Sequence, residues 1–83
     1  MTDKHYVLIF DWAREWEAGI RVVSVTHSER AARADFNNYI TEVMGFAKES
    51  GYTIYDDSDM SFDSGEDGKW ATNHEKLFVQ VVD

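Results

Sequence analysis

Apolar residues recur along this chain in two rhythms. Tyr6 to Trp12 and Ile20 to Thr26 are short runs of β-branched and aromatic residues, the pattern of strands. Ala13 to Gly19 between them is polar and ends in glycine, which predicts a hairpin connection. The spacing then changes. Ala32, Phe36, Tyr39, Ile40, Val43, Phe46 and Ala47 recur at helical intervals and form one apolar stripe. Ser28 stands at the N-cap position, and Glu29 and Arg33 form an ion pair one turn apart. Gly51 supplies the left-handed residue that ends a helix. A helix over Glu29–Ser50 is therefore expected, about 33 Å long at 1.5 Å per residue. Strand rhythm returns in Tyr52 to Asp57 and in Leu77 to Val82, the latter with a start as early as Thr72. Asp63 to Gly68 reads as turn chemistry.

These elements predict a single α+β domain over residues 1–83, ordered β-β-α-β-β. Its architecture is a four-stranded antiparallel sheet with one long helix packed on one face. The first strand sets Val7 and Ile9 against Tyr6, Leu8, Phe10 and Trp12. The last sets Leu77, Val79 and Val81 against Phe78 and Val82. Both sheet faces are thus apolar, and a single helix covers one. The open face is expected to carry either Tyr6, Leu8, Phe10 and Phe78 or Val7, Ile9, Leu77 and Val79. A symmetric dimer would bury it; the alternatives are strong sheet twist or the Ala13–Gly19 segment folding back with Trp16 to cover it within the chain, or a face kept open for a partner.

Charge adds a second feature. The chain of 83 residues carries 16 acidic residues against 8 Lys and Arg, a formal charge of −8. The basic residues are scattered, which argues against direct nucleic-acid binding and against attraction to an anionic membrane. Six carboxylates fall in the twelve residues from Asp56 to Asp67, with no Lys or Arg between Lys48 and Lys69. Such a segment is solvated, neutralised by a cation, or presented to a basic partner. No cysteine is present, which removes disulfides and thiolate chemistry. The apolar run Val7–Phe10 is far shorter than a signal peptide or a membrane span requires. A soluble cytoplasmic protein is the expectation.

Catalytic and metal motifs are sparse. Asp63, Asp67 and Gly68 match the first, fifth and sixth positions of a calcium loop. Gly65 stands where a third-position ligand belongs, and His74 where the closing glutamate belongs. His5, His27 and His74 lack helical metal spacing and read as surface or boundary residues. No nucleophile–base constellation, P-loop or dinucleotide fingerprint occurs. Trp12 and Trp16 flank the expected hairpin tip, and Trp70 follows the acidic turn, positions suited to anchoring a partner or closing the core.

Tyr6–Ala13, Gly51–Asp57 and Phe62–Gly68 together give the chain a resemblance to small uncharacterised acidic proteins of bacterial mobile elements and phages. That resemblance implies an accessory or host-directed binding role, and supplies no activity and no site residues.

The functional expectation is a small acidic, non-catalytic protein-binding domain, such as a mobile-element accessory protein or a DNA-mimic inhibitor of a basic protein. Its expected partner-binding residues are Asp56, Asp57, Asp59, Asp63, Glu66, Asp67, Trp16 and Trp70. No cofactor and no metal ligand is assigned. The alternative is a divalent-cation-binding module built on the 56–67 segment, and an enzyme of unknown type stands third.

Overall fold

The computed structural model describes residues 4–83. Among them, five strands and one helix follow in the order β1 (His5–Arg14), β2 (Glu17–Thr26), α1 (Glu29–Glu49), β3 (Thr53–Ser58), β4 (Ser61–Gly65) and β5 (His74–Val82). The strands form one antiparallel sheet in the order β2-β1-β5-β4-β3. The class is α+β as expected, but the sheet has five strands, not four. The missing strand is β4. It lies inside the acidic segment, which folds as a hairpin around Asp59-Met60. Met60 adopts a left-handed φ of 52° at that turn, a place where glycine or asparagine is the usual sign. Strand pairing overrides the local polarity because Phe62 is fully buried against the helix side, opposite Leu77.

The first hairpin is also longer than its sequence implies. β1 and β2 continue to a two-residue turn at Glu15-Trp16, and Gly19 lies within β2 opposite Trp12. Gly19 is there for close approach: a Cβ would come within 3.0 Å of the Trp12 ring.

The helix ends where its caps dictate. The Ser28 hydroxyl accepts from the Ala31 amide at 3.1 Å. At the far end Gly51 takes φ 73° and donates to the Lys48 carbonyl, while Tyr52 donates to that of Ala47. This is the Schellman pattern. The predicted stripe packs inward: Phe36, Val43 and Ala47 join Leu8, Phe62 and Leu77 in the core, with Tyr39 and Ile40 at its margin.

Register decides which residues share a face. Leu8 pairs with Val79 and Phe10 with Leu77, so these four lie together under the helix. Val7, Ile9 and Phe78 lie on the opposite face. Neither grouping expected from the separate strands is correct, because alternation within a strand does not say which of its sides meets which side of the neighbour. A bulge between Leu8 and Ile9 adds a second shift. It turns Val23 toward the core and leaves both Val22 and Val25 on the open side.

Candidate functional site

The helix leaves one sheet face uncovered. Val7 and Ile9 of β1, Ile20, Val22 and Val25 of β2, and Phe78 of β5 form an apolar band there. Ile20 is 74% exposed, Val22 57% and Val25 54%, high values for large apolar side chains set side by side.

The other part of this face is polar. The loop from Glu66 to Asn73 folds back over it and closes with the Glu66 amide donating to the Asn73 carbonyl. Its Trp70 ring stacks on His74 at 4.1 Å between centroids, with an interplanar angle of 9°. The Trp70 indole N–H donates to Asp63 Oδ1 at 2.7 Å. Beneath the indole, His74 is buried: Nδ1 lies 2.8 Å from the Trp70 carbonyl and Nε2 2.9 Å from Asp11 Oδ1. Both ring nitrogens are engaged by acceptors. His74 is therefore a clamp between β1, β5 and the loop, not the boundary residue its sequence position suggests. Gly65 makes the stacking feasible, since a Cβ there would stand 2.6 Å from Trp70 Cδ1. Tyr55, Asp63, Trp70 and Lys76 then line a shallow cleft beside the apolar band. The Lys76 ammonium lies 5.1 Å from the Phe78 ring centroid, where polar and apolar parts meet.

The expected partner-binding residues separate in space. Asp56 and Asp63 pair across β3 and β4 on the open face. Asp56 accepts from the Ser61 hydroxyl at 2.6 Å, and bonds from Ser61 and Ser58 hold its carboxyl below the usual carboxylate range. Asp57 pairs with Phe62 and so belongs to the helix side. Asp59, in the turn, binds the Arg33 guanidinium of α1, which holds its carboxyl low. Glu66 accepts from the Asn73 amide at 3.1 Å, within the loop. Asp67 is exposed at the loop tip, with the Tyr55 hydroxyl at 3.5 Å. Trp70 is 36% exposed over the clamp, and Trp16 is 84% exposed at the β1–β2 turn. Asp56, Asp63 and Trp70 thus converge, whereas Asp57, Asp59 and Trp16 stand apart from them.

Among the described residues, no group of three or more His, Asp or Glu side chains is arranged to hold a metal ion. Asp59, Asp63 and Glu66 are each hydrogen-bonded to a different partner, Arg33, Trp70 and Asn73.

Sequence reasoning missed Ile20, Val22, Val25, Asp11 and Lys76 as members of one face. The apolar runs are visible in the sequence, but the bulge and the strand order that unite them have no local sign. It also missed Glu75. That residue is 2% exposed on the helix side of β5, paired with Trp12. Arg14 donates to its Oε1 at 2.8 Å, and its Oε2 has no hydrogen-bond partner. Burial pushes the Glu75 carboxyl up, against the pull of Arg14, and burial likewise raises the nearby Tyr52 hydroxyl.

No helix among the described residues is long and apolar enough to cross a membrane. No family model, curated protein or solved structure matches the chain significantly.

Proposed function

We propose that this chain is a small, non-catalytic protein-binding domain that docks its partner on the open sheet face. One observation carries the reading: Ile20, Val22 and Val25 are each more than half exposed on a face that the helix does not reach. Burying such a band is favourable at about 25 cal/mol per Å² of apolar surface. Asp63 on β4 and Asp56 on β3 continue the same face beyond β5, toward the edge opposite β2, and the whole chain carries −8. The matching partner is an apolar ridge flanked by Lys and Arg, drawn in by long-range attraction. A second copy of this chain fits less well, since it would bring −8 against −8. Imitation of DNA also draws little support, because the carboxylates divide between two faces and several are tied to internal donors.

The test uses an immobilised chain beside two variants, Val22→Lys/Val25→Lys and Asp56→Asn/Asp63→Asn. A protein retained by the wild type is purified and its affinity measured at low and high salt. The expected partner loses affinity to both variants and weakens as salt rises. Equal affinity for the Val22→Lys/Val25→Lys variant rules the docking face out. Sedimentation up to sub-millimolar concentration separates the second-copy reading, which requires a dimer mass.

A further inference from the structure

Two of the three histidines meet at the open end of the first hairpin. His5 begins β1, and His27 follows Thr26, the last residue of β2, which pairs with Tyr6. One further step of the same antiparallel register sets His5 opposite His27, on the side of the sheet shared by Val7 and Val25. Their ring centroids are 4.8 Å apart, with an interplanar angle of 64°. We propose that this cross-strand pair chelates a divalent transition-metal ion of the zinc, nickel and copper class.

The first support is geometric. A metal about 2.1 Å from one nitrogen of an imidazole stands about 3.2 Å from the ring centre. Two rings sharing one ion at about 90–109° then have centres about 4.5–5.2 Å apart. The His5–His27 separation falls inside that interval. The steep angle between the planes also sets the pair apart from a parallel stack such as Trp70 on His74. The second support is availability. Both ring nitrogens of His74 are taken by acceptors, whereas among the described residues no hydrogen bond or ion pair engages His5 or His27. His5 is half-buried and His27 exposed, so an ion reaches the pair from solvent. The third is ligand chemistry. Imidazole suits these ions, while magnesium and calcium take oxygens. The charge of −8 draws cations of every kind toward the chain, and the imidazoles select among them. Two protein ligands leave the other coordination positions to water. The pair uses no residue of the Trp70–His74–Asp11 clamp or of the acidic hairpin, so this proposal and the docking face fail independently.

The experiment is a two-dimensional amide NMR titration with zinc chloride, against magnesium chloride. Saturable shifts centred on His5, Tyr6, His27 and Ser28 with zinc alone are the expected result. Holding both ligands on one scaffold makes the second bond intramolecular, so His5→Gln and His27→Gln are each expected to weaken zinc binding about tenfold or more. His27 is exposed, and His27→Gln therefore decides the matter where His5→Gln does not fold. Asp56→Asn/Asp63→Asn keeps wild-type affinity, since the acidic hairpin takes no part. Absence of saturation at His5 and His27 overturns the proposal. So does an equal response to magnesium, which would mean attraction to carboxylates alone. Wild-type zinc affinity in His27→Gln overturns it too, as does loss of binding in Asp56→Asn/Asp63→Asn.

Discussion

The two faces of the sheet are built from the same kinds of residue and have opposite fates. Under the helix, Leu8 is 1% exposed and Phe62 and Leu77 are fully buried. On the far face, Val22 and Val25 stay more than half exposed. The strands do not differ in β-propensity. What differs is that one 21-residue helix lies along one side of the sheet only, tied at both ends by its caps. The open face is closed in part, by the Trp70–His74–Asp11 clamp, and left apolar where the clamp stops. The contrast teaches that hydrophobic content alone does not place a residue in a core. Pairing register and the reach of the covering element do.

The contrast is broken most directly by truncation on each side. Phe62→Ala is expected to cost about 3–5 kcal/mol, because a fully buried aromatic leaves a cavity. Val25→Ala is expected to change stability by no more than about 0.5 kcal/mol. Urea unfolding measures both, and similar losses would mean that the open face is covered in solution. Gly65→Ala tests the clamp. Its Cβ would meet both Trp70 and the Asn73 carbonyl, at 2.6 and 2.9 Å, so a loss of roughly 1–3 kcal/mol is expected together with altered Trp fluorescence. Trp16→Ala sharpens the functional side: at 84% exposure it leaves stability unchanged. If the hairpin tip anchors the partner, its affinity falls about tenfold or more.

Glu75 gives the covered face a pH signature. Burial raises its carboxyl above the unfolded value, so the folded chain holds that proton more tightly than the unfolded chain. The contribution is fully present below the unfolded value and is lost as pH rises through the folded one. Glu75→Gln does not titrate, so its stability relative to the wild type improves between about pH 4 and pH 7. Urea melts at the two pH values check the sign, and a pH-independent difference would contradict it. Asp59 has the opposite sign, since Arg33 holds its carboxyl low. Its contribution is present above the unfolded value and lost as pH falls through the folded one. Both groups are exposed and screened, so Asp59→Asn is expected to have only a small effect on stability, measurable at low salt.

Much of the covered face is legible in the sequence. The stripe Ala32, Phe36, Val43 and Ala47 is buried as its spacing implies, Ser28 caps the helix through its hydroxyl, and Gly51 ends it through a left-handed φ open to a residue without a Cβ. The candidate site is legible only in pieces. Asp56, Asp63 and Trp70 are marked by charge and by position near turns, and they do converge. Asp57 and Asp59 are marked by the same charge, yet they fall on the other side of the hairpin. Composition counts carboxylates, and pleating divides them.

The sequence by itself determined the helix, its ends, the central strand and the presence of apolar residues on both sheet faces. Each of these rests on contacts within a few residues of chain, where 3.6 and 2.0 periodicities and capping bonds are written locally. Only the tertiary structure decided the fifth strand, the order β2-β1-β5-β4-β3, the bulge that unites Val22 with Val25, and the burial of His74 and Glu75. These depend on partners far apart in the chain, Asp11 with His74 and Arg14 with Glu75 among them. Long-range pairing is selected by the burial it achieves across the whole sheet, and no short stretch of sequence contains that sum.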